Sequence, residues 1–172
     1  MKRAEQLLLF LVLFFLPTQL GKHFWPNFSH IFSLRIDYLS PTIYFWDILV
    51  LILITIFLIN RKAFSKTSLN LGLFFLLTQI ISLLAASLLV NNLNIGAALV
   101  RVAQYAIALL FGLYIASNKE TSKRVLFFGI SSAVIFQSLL GISQLISEKT
   151  IGFWILGERS FSISTPAITK LS

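Results

Sequence analysis

The chain contains no cysteine. Disulfide bonds, thiolate nucleophiles and cysteine-ligated metals are therefore excluded. Charged residues are also scarce, at 12% of 172 residues, against roughly 25% in ordinary globular domains. No carboxylate completes a ligand triad with His23 and His30, so the sequence predicts no metal site and no cofactor. It has no glycine-rich phosphate loop and no paired catalytic carboxylates, so we assign no catalytic residue.

Hydrophobic residues are abundant, at 57% of the chain, and the mean hydropathy is +0.88. A soluble core of 19.4 kDa could not bury so much Leu, Ile and Phe, whereas a bilayer accepts it. The net charge of +8 lies mostly in short loops, which favours membrane orientation signals over nucleic-acid binding. The sequence therefore predicts an all-α bundle of membrane helices.

Apolar runs separated by polar loops predict about five spans within residues 1–146. The first apolar segment is either a membrane span or a cleaved signal peptide. Residues 17–22 lack a good small-x-small cleavage site, which favours an uncleaved span. A tail, 147–172, should lie at the outer surface or re-enter the membrane from that side, because its apolar stretch of eleven residues is too short to span. The predicted spans are 6–20, 42–59, 69–90, 96–117 and 125–146.

Basic residues are distributed unequally between alternate loops. The loops opposite the N-terminus hold only Lys22 and Arg35. Because cytoplasmic loops carry the excess of Lys and Arg, this bias predicts a cytoplasmic N-terminus and an outer tail. The basic residues on the N-terminal side are Lys2, Arg3, Arg61, Lys62, Lys66, Lys119, Lys123 and Arg124.

The aromatic loop 21–41 separates the first two predicted spans. Phe28, Ile31, Phe32 and Arg35 follow helical spacing. This pattern predicts a short helix in the plane of the membrane interface.

Asp47 and Arg101 are ionisable residues inside predicted spans, where charge is costly and often functional. Each lies five residues inside the outer start of its span. Three interpretations are open: a mutual ion pair, snorkelling of Arg101, and a contact between Arg101 and an anionic headgroup or pyrophosphate. The polar-network candidates are Arg101, Asp47, Gln104 and, in the tail, Arg159.

Three spans also carry stripes of small and polar residues. Such stripes favour close helix packing, and a polar substrate pathway is the alternative. The stripes are Gly72, Gln79, Ser82 and Ala86; Arg101, Tyr105, Ala108 and Gly112; and Gln137, Gly141 and Gln144.

Three stretches carry a resemblance to a known family. They are LPTQLGKHFW at 16–25, RIDYLSPT at 35–42 and GFWILGERSF at 152–161. With these, the chain resembles the N-terminal part of bacterial O-antigen ligase and O-antigen polymerase proteins.

The resemblance implies a multi-pass glycosyltransferase that takes glycan from undecaprenyl pyrophosphate outside the cytoplasmic membrane. Catalytic residues of that family lie mainly in a later outer loop and later helices, so the expectation is an incomplete chain from a truncated or split reading frame, inactive alone. A separate C-terminal portion would then be its partner. The alternative is a small non-catalytic membrane protein, an assembly partner or transporter component.

Overall fold

The computed structural model describes residues 2–18, 20–31, 34–35, 39–60, 62–89, 94–118 and 121–147. The described chain is mostly helical, with five α-helices and two short pairs of antiparallel strands. The predicted tail, including Arg159, lies outside the described residues. The helices are α1 (Lys2–Phe15), α2 (Phe45–Ile59), α3 (Lys66–Leu89), α4 (Ile95–Ser117) and α5 (Lys123–Ser147).

Three of these helices are long and apolar enough to cross a membrane, namely α3, α4 and α5, with 24, 23 and 25 residues. At about 1.5 Å per residue each exceeds the roughly 30 Å hydrocarbon layer. Their apolar side chains are largely uncovered within the chain: Leu88 is 86% exposed, Phe74 67% and Ile146 78%. Apolar surface of this extent indicates a multi-pass membrane protein, because lipid rather than water can cover it.

The first helix ends earlier than predicted, at Phe15 rather than near residue 20. Pro17 explains the end, because proline disfavours helical backbone at the preceding residue, here Leu16. Thr18 then satisfies the helix end by donating its backbone N–H and its hydroxyl to Phe15 O, at 3.1 and 2.7 Å.

The second helix begins at Phe45, three residues later than predicted. Thr42–Tyr44 instead forms strand β4, which pairs with strand β1 (Gly21–His23). The ladder aligns Gly21 with Tyr44 and His23 with Thr42. β-Branched and aromatic residues at 42–44 favour this extended backbone, so the chain is mostly helical rather than all-α.

The predicted interfacial helix in loop 21–41 is wrong. Asn27–Ser29 forms a single 3-10 turn, and the chain then continues as strands β2 (His30–Ile31) and β3 (Leu34–Arg35), which pair with each other. Four residues at helical spacing do not exclude a hairpin, because a local partner strand satisfies the same backbone groups.

The core lies between the two shorter helices and the end of α4. Helix α1 packs against α5 and α2, α2 packs against α4, and α4 packs against α3. The helices therefore pack in the order α5–α1–α2–α4–α3, with the two short helices in the middle. The buried core consists of Leu9, Val12 and Leu13 from α1; Leu49, Val50, Leu53, Ile54 and Phe57 from α2; and Tyr114 from α4.

Candidate functional site

Polar side chains gather at both ends of the bundle. The first group, the Arg101 cluster, comprises Arg101, Gln104, Thr42, His23 and Ser40. It lies where β1 and β4 meet the first turns of α4. The second group lies at the opposite end of α4, around its C-cap residue Asn118. Arg101 and Asn118 are 17 positions apart, which is about 25 Å along the helix axis.

Arg101 is exposed and is positioned by its own helix. Its Nη1 donates to Gln104 Oε1 at 2.9 Å. Gln104 Nε2 donates in turn to the backbone oxygen of Thr42 at 3.1 Å. The guanidinium is therefore tied through one amide to strand β4, which restricts where its charge can point.

Thr42 continues the network into the loop. Its Oγ1 lies 2.9 Å from His23 Nδ1, and Ser40 Oγ lies 2.7 Å from the same nitrogen. The Trp25 ring stacks on the imidazole at a centroid distance of 5.8 Å. Ser40 and Thr42 are buried, so the imidazole is held from one edge and one face.

Asp47 does not join Arg101 in an ion pair in the described part of the chain. Its Oδ2 accepts the backbone N–H of Tyr44 at 3.0 Å. Because α2 starts at Phe45, Asp47 lies in the first helical turn, where an acidic side chain satisfies an otherwise unpaired donor and favours the helix dipole. Asp47 is the third residue of α2 and Arg101 the seventh of α4, so the two charges lie at different distances from the starts of their helices.

Asn94 places the aromatic loop on α4. Its Oδ1 caps the helix by accepting from Ala97 N at 3.1 Å, and its Nδ2 donates to Phe28 O at 2.7 Å. One side chain thus starts α4 and holds the turn Asn27–Ser29 against it.

The second group, the Glu5 cluster, comprises Glu5, Lys62, Tyr114 and Asn118, and sequence reasoning missed it. Glu5 is only 4% exposed. Lys62 Nζ donates to both carboxylate oxygens at 3.2 Å. Tyr114 Oη donates to Oε1 at 3.1 Å, and Asn118 Nδ2 donates to Oε1 at 2.9 Å and to Tyr114 Oη at 3.0 Å.

A signal for this cluster was present in the sequence. The predicted topology placed the N-terminus, loop 60–68 and loop 118–124 on one side of the membrane. Glu5 is the acidic residue of the first segment, Lys62 belongs to the second, and Asn118 begins the third. Opposite charges on neighbouring loops of the same side are natural partners.

The small-residue stripes are only partly packing surfaces. Gly72 is buried against Leu113, as the packing interpretation predicts. Gly112 and Gly141 instead have open space where a side chain would lie. Tyr105 is 54% exposed.

Comparison with known proteins assigns no family. No family model matches the chain, and neither a curated protein nor a solved structure matches it.

Proposed function

We propose that the chain crosses the membrane five times, with its N-terminus in the cytoplasm. Two segments are short: α1 has 14 residues and α2 has 15. The 15 residues of α2 extend about 22 Å, and the three residues of β4 add about 10 Å. The α2 segment therefore reaches across the roughly 30 Å layer. Helix α1 packs between α5 and α2, and α2 packs between α1 and α4. Each short helix is therefore flanked on two sides, while side chains such as Ile52 and Leu58 remain exposed to lipid.

We propose that the Arg101 cluster receives the pyrophosphate of a polyprenyl-linked glycan on the outer side of the membrane. The supporting observation is the exposed guanidinium of Arg101, oriented through Gln104 and strand β4. A planar guanidinium with five N–H donors suits phosphate oxygens, and its orientation reduces the entropy lost on binding. The resemblance to O-antigen ligases and polymerases supplies the choice of ligand.

The fixed imidazole of His23 adds to this proposal. Its Nδ1 edge faces Ser40 and Thr42, so the Nε2 edge points away from these two hydroxyls. His23 shares Thr42 with the Gln104 contact. A second nitrogen donor, on β1, would therefore be held against strand β4, the strand that orients Arg101.

The test is binding of undecaprenyl pyrophosphate to the full chain in nanodiscs, measured by native mass spectrometry against phosphatidylglycerol. Arg101→Gln should weaken binding about ten-fold or more, the effect of roughly one hydrogen bond to a charged group. Arg101→Lys should bind with intermediate affinity, because an ammonium lacks the planar fork.

The matched control is Arg124→Gln. This arginine is also exposed and near a helix start, but it lies on α5 at the other end of the bundle. Its replacement removes the same charge and should leave binding unchanged. Equal losses in both variants, or no preference for the pyrophosphate, would refute the proposed donor site.

We further propose that the chain binds this donor without transferring its glycan. Among the described residues, His23 contacts two hydroxyls but no carboxylate that would orient it as a base. Purified chain supplied with lipid-linked glycan should give no turnover. Clear turnover that Arg101→Ala abolishes would contradict this expectation.

A non-catalytic role is the second candidate, as an assembly partner or transporter component. It is favoured by the same lack of a nucleophile–base–carboxylate set in the described chain. Absence of pyrophosphate binding, together with stable accumulation of the chain alone, would support it.

A further inference from the structure

A cavity of about 220 Å³ opens beside the Glu5 cluster. Its wall combines both members of the ion pair, Glu5 and Lys62, with the hydroxyl residues Thr121 and Ser122 and the apolar side chain of Leu9. The cavity lies at the opposite end of α4 from the Arg101 cluster, so the proposed donor site does not use it.

One polar atom in the wall is buried and lacks a partner. Thr121 Oγ1 has no hydrogen-bond partner within the described residues. Buried hydroxyl groups nearly always have one, supplied by protein, water or ligand. We therefore expect the cavity to hold an occupant with a polar atom that hydrogen-bonds to Thr121 Oγ1.

The wall offers an acceptor for a cation. Glu5 Oε1 accepts from Lys62, Tyr114 and Asn118, whereas Oε2 accepts from Lys62 alone within the described chain. About two hydrogen bonds are usual for each carboxylate oxygen. Oε1, with three donors, exceeds this number, and Oε2, with one, falls short of it. Oε2 thus retains capacity for the N–H of an ammonium group.

The wall also offers donors for an anion. Lys62 carries a positive charge, and Thr121 and Ser122 precede the first turn of α5, which begins at Lys123. The first backbone N–H groups of a helix lack intrahelical acceptors and favour negative charge. Lys123 and Arg124, both exposed, add positive charge at this helix start.

The cavity therefore fits a small molecule that carries both charges. It lies where α4 ends and α5 begins, at the limit of the hydrocarbon-length helices, which is the level of lipid headgroups. We infer that this cavity binds the phosphoethanolamine headgroup of a membrane lipid, with the ammonium at Glu5 and the phosphate toward Lys62 and the α5 N-terminus. This headgroup has about eight non-hydrogen atoms, in keeping with a cavity smaller than the roughly 300–1,000 Å³ of drug-sized sites.

The test uses the full chain in nanodiscs of phosphatidylcholine with equal minor fractions of phosphatidylethanolamine and phosphatidylglycerol. Retained lipid is counted by native mass spectrometry. Phosphatidylethanolamine should be retained about ten-fold over phosphatidylcholine, because the methylated ammonium of choline cannot donate a charge-assisted hydrogen bond to Glu5. Glu5→Gln should reduce this preference several-fold.

Because Glu5→Gln also removes the ion pair with Lys62 and can unfold the chain, Thr121→Val is the second variant. It leaves the ion pair intact and should lower retention of phosphatidylethanolamine. Its control is Thr67→Val, at an exposed position on α3, which should retain lipid as the unaltered chain does.

Enrichment of phosphatidylglycerol over phosphatidylethanolamine would overturn the inference, because only the phosphate would then be recognised. Equal retention of all three lipids would also overturn it, and the cavity would hold water alone. A third result would also overturn it. If soluble O-phosphoethanolamine binds while phosphatidylethanolamine is not enriched, the ligand is a soluble compound and not a lipid headgroup. None of these three results depends on the pyrophosphate assay, which reports on the other end of the bundle.

Discussion

At the residue scale, the start of a helix decided the role of Asp47. A carboxylate placed five residues into a span would need a charged partner, whereas the same carboxylate in the first turn caps the helix. The three-residue shift of the α2 start therefore converted an expected ion pair into the 3.0 Å contact with Tyr44 N. The sequence identified Asp47, Arg101 and Gln104 as polar candidates, but it could not identify their partners.

The first prediction at this scale concerns independence of the two charges. Asp47→Ala should lower the free energy of unfolding by about 0.5–2 kcal/mol through loss of the cap. Combined with Arg101→Gln, the effects should add within about 0.5 kcal/mol, because the side chains share no contact. The measurement is a double-mutant cycle on unfolding in bicelles.

A second cycle is its control. Arg101→Gln and Gln104→Ala should not add, because Arg101 Nη1 and Gln104 Oε1 are 2.9 Å apart. A coupling energy between Asp47 and Arg101 as large as the one in this control would restore the ion-pair interpretation.

At the element scale, glycine marks the contact between α1 and α5. Gly129 is buried, and a Cβ there would lie 2.9 Å from both Cβ and Cδ1 of Leu13. Ala133, one turn later, is also buried. Without the hydrophobic effect between helices in lipid, such close backbone approach is a principal source of packing energy. The packing interpretation of small residues holds here, at a pair the sequence stripes did not include.

The prediction at this scale compares two glycines of the same helix. Gly129→Ala should destabilise the protein by about 1–3 kcal/mol, because the Leu13 Cβ cannot rotate away and the helices must separate. Gly141→Ala should be neutral or slightly stabilising, because nothing lies within 4 Å of its added methyl group. Unfolding in bicelles measures both, and equal destabilisation of the two variants would show that α5 does not pack on α1 as described.

At the scale of the whole molecule, the core is not built from the longest apolar helices. It lies mainly on the two short helices, α1 and α2. The three helices that are long enough by themselves to span, α3, α4 and α5, lie at the two sides of the shorter ones, which pack between α5 and α4. Strand β4 leads directly into α2, and β1, which follows α1 in the chain, pairs with β4. The Glu5 cluster then ties α1, the loop after α2 and the end of α4 together at one end.

The prediction at this scale is the orientation in the membrane. Because the chain has no cysteine, single substitutions report cleanly. An impermeant thiol reagent added outside intact cells should label Asn27→Cys and leave Ser65→Cys unlabelled, and both positions are exposed. The unaltered chain gives the background. Labelling of Ser65→Cys from outside would reverse the proposed topology.

The sequence by itself determined the membrane class, the mostly helical fold and the approximate position of every described helix. Hydrophobic length and the shortage of charge carry this information locally, because lipid selects each apolar segment on its own composition. Only the tertiary structure decided the β1–β4 pairing and the Glu5 cluster. These depend on contacts between residues up to 113 positions apart, and such contacts arise from the three-dimensional packing of helices, which no local pattern specifies.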